Sequence, residues 1–210
     1  GTRATGGNVS FFSESLDRAV HPTPVIGMVG LLEDRKKMLT SAFQQEGGLI
    51  YLLGRLPENI GGSEYLYLKE KIVAGQAPQA DLEKAKILIQ TLTQLAEKQM
   101  IQSAHDCAEG GLAVALAEAC FPNGLGAKIE FAVSGREDFN LFGEAHNNVV
   151  VSCAVEQEAA MLDLCKKNGQ PYLKLGQVGS GNLQINQAIN VSVDKLLAIY
   201  ESSLERVLHS

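Results

Sequence analysis

The chain has 210 residues, of which 45% are hydrophobic and 20% are charged. This composition is typical of a folded globular protein with a sizeable core, and it excludes disorder along the whole chain. Eighteen basic residues against 24 acidic residues leave a net charge of −6. Because like charges repel, this balance argues against a nucleic-acid duplex as the main partner, whereas a small phosphorylated ligand stays compatible with it.

The sequence carries no sign of membrane insertion or secretion. No apolar run approaches the roughly 20 residues that a membrane-spanning helix needs, and the first residues, GTRATGG, lack an apolar signal-peptide core. The spacing of the four cysteines favours reduced thiols in a cytoplasmic protein over disulfides or a structural zinc site. The glycine-rich start is typical of the inside of a loop, which predicts that the sequence is a piece of a longer chain.

The predicted elements alternate irregularly between strands and helices along the chain. We predict a glycine turn and a short strand over 7–14, strands over 25–31 and 49–53, a helix over 64–72 and a longer helix over 82–100. A polar loop over 103–111 is followed by a helix over 112–120, strands over 127–133 and 148–155, a helix over 156–168, strands over 173–178 and 182–186, and a last helix over 194–208. Without strict β–α–β alternation this order predicts an α+β fold, a mixed sheet flanked by helices. A charged break near residues 33–37 divides the chain into domains 1–34 and 35–210.

The first polar segment with chemical potential is GGNVS, residues 6–10. Its glycines allow the backbone to approach a ligand closely, and the carboxamide oxygen of Asn8 is a hard ligand of the kind that Mg²⁺ prefers. Ser10 follows two residues later, on the same side of an extended chain. This spacing suits a phosphate or a metal–phosphate group, although on spacing alone an ordinary hairpin turn is the simpler interpretation.

The second segment is the predicted loop SAHDCAEGG, residues 103–111. Gly110 and Gly111 stand at a helix start, where free N–H groups favour anion capture. Asp106 could hold a metal, with His105 as its neighbour. A nucleophile–base pair of Cys107 and His105 is disfavoured, because near neighbours in sequence rarely align for that chemistry. The simpler interpretation of His105 is a helix-entry residue with local hydrogen bonds.

Two further polar segments allow both a structural and a functional interpretation. In NIGGSE, residues 59–64, Ser63 fits the N-cap of a helix, and a capped helix is the simpler hypothesis. In FGEAHNN, residues 142–148, Glu144 and His146 could face a ligand or could be solvated turn residues.

Taken in order, these segments resemble the large subunit of the phosphoribosylformylglycinamidine synthase family. The segments that carry the resemblance cover nearly the whole chain: GGNVSFFSE, TPVIGMVG, GGSEYL, SAHDCAEGGLAVALAE, LFGEAHNNVVVS and LGQVG. The wider superfamily, related to aminoimidazole ribonucleotide synthetase, also includes selenophosphate synthetase, thiamine-monophosphate kinase and a hydrogenase maturation factor. The GNVS and GGSEY segments favour the synthase over these relatives.

The resemblance implies an ATP-dependent C–N ligase of de novo purine biosynthesis. Its members convert formylglycinamide ribonucleotide to the amidine with ATP, Mg²⁺ and glutamine-derived ammonia, through phosphorylation of the amide oxygen and displacement of phosphate. Their large subunit is a tandem of two similar halves, each with a smaller nucleotide-handling domain and a larger domain. Residues 1–34 would then end the second smaller α/β domain, and 35–210 would form the second larger domain. The implied partners are the substrate, the first half of the chain, a glutaminase subunit and a small accessory subunit.

The resemblance also implies roles for the opening segment. Gly7 matches the family glycine that contacts ATP, Asn8 the asparagine that binds magnesium, and Ser10 the serine that contacts substrate.

In the larger domain the resemblance is less regular. Asp106, Gly110 and Gly111 match the signature of this domain, with Asp106 where a metal-binding aspartate would lie. Glu144 begins a Glu-Ala-His segment where the first half has a Glu-Ser-Gln substrate clamp, and Asn148 stands where arginine is usual. These departures imply a degenerate site, or one that holds an auxiliary nucleotide without turnover.

The catalytic histidines and most magnesium carboxylates of the family belong to the first half. We therefore expect no catalytic residue in these 210 residues and no synthase activity of the chain alone. The alternative is a non-catalytic structural or auxiliary-nucleotide-binding module of the same superfamily.

Overall fold

The computed structural model describes residues 6–8, 14–15, 18–19, 25–27, 29–32 and 34–208. The chain divides into two compact units, Gly1–Met38 and Leu39–Ser210. We predicted a division after residue 34, and the assignment of the first unit to a nucleotide-handling domain stays a prediction.

The first unit contains two short antiparallel strand pairs. Strand β1 (Gly6–Asn8) pairs with β4 (Val25–Gly27), so that Gly7 lies opposite Ile26 and Asn8 opposite Val25. Strands β2 (Glu14–Ser15) and β3 (Arg18–Ala19) form the other pair, and a 3-10 turn follows at Arg35–Lys37. The turn predicted at Gly7 and Asn8 is therefore wrong, because both residues are part of a paired strand. The strand predicted over 25–31 ends at Gly27.

The second unit is built on a seven-stranded mixed sheet with the order β11-β10-β7-β9-β5-β8-β6. Its strands are β5 (Leu49–Leu53), β6 (Ser103–Asp106), β7 (Leu125–Ile129), β8 (Val149–Cys153), β9 (Tyr172–Ser180), β10 (Asn182–Ile185) and β11 (Ile189–Ser192). Neighbouring strands run antiparallel except β10 and β7, which are parallel. The helices are α1 (Glu64–Glu70), α2 (Leu82–Glu97), α3 (Gly111–Cys120), α4 (Glu137–Phe142), α5 (Glu158–Asn168) and α6 (Val193–Leu208). This architecture confirms the predicted α+β fold.

Strand β5 is an interior strand, between β9 and β8, and is buried on both faces, as its unbroken apolar sequence predicts. Because side chains alternate along a strand, its residues divide between two cores. Leu49, Tyr51 and Leu53 pack in the cluster that includes Leu88 and Leu95 of α2 and Met161 of α5. Ile50 and Leu52 pack in the other cluster, with Leu112 and Leu116 of α3. The sheet is thus covered by helices on both faces.

The long helix α2 begins where the sequence predicts. Asp81 is its N-cap, and the Asp81 side chain accepts a hydrogen bond from the backbone N–H of Lys84 at 3.1 Å. The helix ends at Glu97 rather than at residue 100, since Gln99 adopts a positive φ of 53°. Within the described residues, no helix combines the length and the apolar character needed to cross a lipid bilayer.

Several elements differ from the sequence prediction because tertiary contacts override local composition. Residues 103–106, predicted as part of a polar loop, form the edge strand β6, whose Ser103 hydroxyl lies 2.6 Å from that of Ser152 on β8. Helix α4 was not predicted, and it is held by buried Asn140, whose amide donates to the Pro57 carbonyl at 2.7 Å. Strand β11 was not predicted either, and β7 spans 125–129 rather than 127–133.

Candidate functional site

Three polar segments that are far apart in sequence meet at the Glu144 carboxylate. Its Oε1 atom accepts a hydrogen bond from the backbone N–H of Glu64 at 2.9 Å and another from the backbone N–H of Gly110 at 2.9 Å. Glu64 is the first residue of α1, and Gly110 is the N-cap of α3. We call this arrangement the Glu144 junction. It joins the GGSE, EGG and GEAH segments of the sequence.

The α1 side of the junction is set by its N-cap. The Ser63 hydroxyl accepts a hydrogen bond from the backbone N–H of Leu66 at 3.2 Å and donates to the Ile60 carbonyl at 2.7 Å. The capped-helix interpretation of this segment is therefore confirmed. The N–H of Glu64 is one of the helix-start donors without an intrahelical partner, and Glu144 satisfies it.

The α3 side depends on the two glycines predicted there. Gly110 and Gly111 have φ angles of 79° and 65°, a left-handed conformation that L side chains rarely adopt. A Cβ atom on Gly111 would lie 2.7 Å from the Gly143 carbonyl oxygen, so the start of α3 packs directly on the turn that carries Glu144. The N–H of Gly111 is bonded to the Ala108 carbonyl at 3.1 Å. One of the donors predicted at this helix start, the N–H of Gly110, is thus accepted by a protein carboxylate.

An aromatic contact supports the junction from the side. Tyr65 of α1 stacks on Phe142 of α4, with ring centroids 4.7 Å apart and planes 3° from parallel. The Tyr65 hydroxyl lies 3.4 Å from an Asp138 carboxylate oxygen. Because Tyr65 follows Glu64 and Phe142 precedes Glu144 by two residues, this stack holds α1 and the Glu144 turn together.

Asp106 does not take part in the junction. It ends the edge strand β6 with its side chain 77% exposed, 3.6 Å from the Nδ1 atom of His105. In the part of the chain that the structure describes, no hydrogen bond or ion pair joins Asp106 to Glu144. The described residues also contain no group of three or more His, Cys, Asp or Glu side chains that could hold a metal ion.

The neighbouring thiol is not an activated nucleophile. Burial, together with the smaller effect of the Asp106 charge, raises the pKa of the Cys107 thiol to about 12. The Nε2 atom of His105 lies 3.1 Å from a Glu118 carboxylate oxygen, and its Nδ1 atom lies 2.9 Å from the Asp106 carbonyl oxygen. His105 thus has partners on both ring nitrogens, as its simpler interpretation predicts, but it lies in the edge strand β6 and not at a helix entry.

The residues after Glu144 point to a different role from a substrate clamp. Asn148 is buried, and its amide group donates to the Arg55 carbonyl and accepts from the Arg55 N–H, each at 2.9 Å. This paired contact closes the end of β5 onto the start of β8. His146 is exposed and lines a cavity beside this contact. Sequence reasoning missed Arg55, although the glycine that ends the apolar run of β5 signalled a sharp turn there.

Gly7 and Asn8 lie in β1 of the first unit, and Ser10 lies outside the described residues. The ATP, magnesium and substrate contacts expected of these three residues therefore stay predictions.

Comparison with known proteins places these features in a family. Residues 45–186 match the family model described as "AIR synthase related protein, C-terminal domain". A phosphoribosylformylglycinamidine synthase subunit PurL from Anaeromyxobacter sp. is 39% identical over 99% of this chain, which spans 28% of that protein. The subunit PurL from Moorella thermoacetica is 43% identical over 88% of this chain, which spans 25% of it. The chain thus spans between a quarter and a third of the length of these curated relatives.

Solved structures share the fold at low sequence identity. Thermotoga maritima PurL complexed with FGAR superposes with a TM-score of 0.65 at 17% identity, covering 77% of this chain and 30% of that one. A HypE–HypF complex gives a TM-score of 0.51 at 18% identity, covering 73% of this chain and 54% of that one. The family match, the curated relatives and the mixed sheet agree with the resemblance noted from the sequence. The chain belongs to the family of AIR synthase related proteins, and residues 45–186 form its C-terminal domain.

Proposed function

We propose that this chain is part of a phosphoribosylformylglycinamidine synthase, an ATP-dependent ligase that forms the amidine of formylglycinamide ribonucleotide in purine biosynthesis. The support is the similarity to curated subunits of that name along 99% and 88% of the chain. Because the chain spans only 28% and 25% of those relatives, the activity is proposed for the longer protein and not for these residues alone.

The Glu144 junction is the observation that supports a structural role for the larger unit. In the larger unit, a protein carboxylate already satisfies the N–H groups of Glu64 and Gly110 that would otherwise favour an anion. Among the described residues, Asp106 makes no hydrogen bond or ion pair with this carboxylate. This arrangement supports the interpretation that the site on the larger unit is degenerate. The larger unit would then stabilise the fold and would not contact the reacting atoms. We propose that the isolated chain is inactive.

The proposed contribution to chemistry comes from the opening segment. Gly7 would approach ATP, Asn8 would supply a ligand for magnesium, and Ser10 would contact the ribonucleotide. Asn8 offers one oxygen ligand, whereas Mg²⁺ requires about six. Water, ATP phosphate oxygens and other side chains would supply the remaining ligands. When bound, ATP supplies the phosphoryl group that activates the amide oxygen, and the role of these residues is to position ligands.

The proposed partners follow from the relatives. The T. maritima PurL structures include complexes with FGAR and with ATP, and one is a PurLQS assembly. We propose the corresponding ligands for this protein, together with a glutaminase subunit, a small accessory subunit and the first half of the long chain. A cytoplasmic location is proposed as well, supported by four cysteines that are all free thiols.

The test is substitution of the opening segment in the full-length protein. Asn8→Ala and Ser10→Ala should each lower kcat/KM about 10- to 100-fold, because a hydrogen bond to a charged ligand contributes about 1.5–3 kcal/mol. Asn190→Ala, in the exposed position of β11, is the matched control and should leave the kinetics unchanged. Unchanged kinetics in the first two variants would instead favour a non-catalytic module. Amidine formation by the isolated chain would contradict its proposed inactivity.

A further inference from the structure

A cavity of about 420 Å³ lies where β5 ends and β8 begins. Its walls come from four segments: residues 54–57 after β5, Lys84 and Ile87 of α2, residues 145–148 before β8, and residues 169–171 between α5 and β9. This volume falls within the roughly 300–1,000 Å³ range of pockets that hold small molecules. The Glu144 junction does not line it.

The cavity walls are held together by their own polar groups. Asn148 makes its two hydrogen bonds to the backbone of Arg55, and the N–H of Gly54 donates to the Pro171 carbonyl at 2.9 Å. The Asn147 amide donates to the Asp81 carbonyl at 3.1 Å, which fixes the wall onto the start of α2. Because these groups satisfy one another, the shape of the cavity does not depend on a ligand.

Gly54 makes this closure possible. Its φ is +141°, and a Cβ atom there would lie 1.9 Å from the Asn148 side-chain oxygen. Only glycine therefore allows the amide of Asn148 to reach Arg55 across the end of the sheet. The cavity is a built feature of the fold rather than a gap between loosely packed loops.

The charges that line the cavity are unbalanced. Lys84 pairs with Asp81 at 2.9 Å. Among the described residues, the Arg55 guanidinium has no carboxylate partner, and the His146 ring has no hydrogen-bond partner. The remaining wall is largely apolar and includes Leu56, Pro57 and Ile87. The chain as a whole carries a net charge of −6. An apolar cavity whose arginine has no carboxylate partner is therefore suited to an anion.

We propose that this cavity binds a small amphipathic anion, with an apolar ring system against the Leu56, Pro57 and Ile87 wall and one carboxylate or phosphate group paired with Arg55 and His146. Arginine forms two parallel hydrogen bonds to either anion, so the two anions share the same recognition. The site is separate from the Glu144 junction and does not depend on the proposed ligase function.

The test uses the full chain with four probes: 1-naphthyl phosphate, 1-naphthoate, 1-naphthalenemethanol and inorganic phosphate. Calorimetry or ligand fluorescence should show one site for at least one naphthyl anion with a Kd below 1 mM. The neutral alcohol and inorganic phosphate should each bind at least about tenfold more weakly. The alcohol lacks the anionic group, and inorganic phosphate lacks the apolar ring system. Comparison of the affinities of 1-naphthyl phosphate and 1-naphthoate shows whether the site prefers a phosphate or a carboxylate group.

Two variants locate the site. Arg55→Gln and His146→Gln change exposed side chains, so folding should be retained, and circular dichroism checks it. Arg55→Gln should weaken binding of the anion about tenfold or more, and Arg206→Gln, on exposed α6, is the matched control with unchanged binding. The proposal is overturned if neither naphthyl anion binds at 1 mM, if Arg55→Gln leaves Kd unchanged, or if inorganic phosphate binds as tightly as the naphthyl anions.

Discussion

Glu144 and Gly110 are joined by a hydrogen bond of 2.9 Å from the Gly110 N–H to the Glu144 Oε1 atom, across 34 positions of sequence. The same oxygen accepts the N–H of Glu64 at the start of α1. A carboxylate at two helix starts is stabilised by the partial positive charge of the free N–H groups. The contact thus ties α1, α3 and the turn before β8 into one structural unit.

Removing this carboxylate should destabilise the larger unit. We expect Glu144→Ala to lower the free energy of unfolding by about 1–3 kcal/mol, because two helix-start donors lose their partner. Glu144→Gln keeps a carbonyl acceptor and should lose less. Urea denaturation gives the comparison, with the exposed Glu156→Ala as control. A Glu144→Ala protein as stable as the parent would contradict a structural role of the junction.

The two glycine positions Gly111 and Gly169 should respond unequally to alanine. Both have left-handed φ angles, 65° and 70°, but a Cβ meets the Gly143 carbonyl oxygen at position 111 and nothing within 4 Å at position 169. Gly169→Ala should cost about 1–2 kcal/mol, from backbone conformation alone. Gly111→Ala should cost roughly 2–5 kcal/mol, since overpacking is added. Equal shifts in thermal or urea unfolding would show that the close approach is unimportant.

Stability in acid should depend on Glu158. The Lys174 ammonium group, 2.6 Å away, and the Tyr51 hydroxyl lower the pKa of this carboxyl group below its usual value. A carboxyl group with a lowered folded-state pKa contributes stability above its unfolded-state pKa, and that stability is lost as the pH falls through the folded-state pKa. Lys174→Met should therefore reduce the free energy of unfolding at pH 7, and its difference from the parent should shrink as the pH approaches 3.

The control for this acid experiment is Lys167→Met on the exposed face of α5. Its difference from the parent should stay constant over the same pH range. A constant difference for Lys174→Met as well would mean that the pair with Glu158 contributes nothing to the pH dependence.

The four cysteines should be slow to react while the protein is folded. Burial raises the pKa of the Cys107 and Cys120 thiols to about 12 and that of the Cys153 and Cys165 thiols to about 11. Since the thiolate is the reactive form, a disulfide exchange reagent at pH 8 should label native protein far more slowly than protein in urea. Rapid labelling of one native thiol would identify a reactive cysteine that the structure does not account for.

Local sequence was sufficient for the elements whose composition agrees with their environment. The run Leu49–Leu53 is apolar throughout and is buried throughout, and α2 shows helical spacing of apolar residues after an Asp81 cap. Ser63 was recognisable as a helix cap because its role involves only neighbours in the chain. The mixed sheet and its family resemblance followed from such segments taken in order.

Tertiary structure decided what depends on distant residues. Ser103 and Asp106 are polar, yet they form an edge strand because β8 supplies the hydrogen bonds. From the sequence, Glu144 could face either a ligand or solvent. Only the packing of the folded chain brought it to Gly110 and Glu64. The sequence by itself determined the elements whose apolar spacing agrees with their burial, and the segments that carry polar groups. The fold decided which of those groups satisfy one another, because a hydrogen bond depends on distance in space and not on separation along the chain.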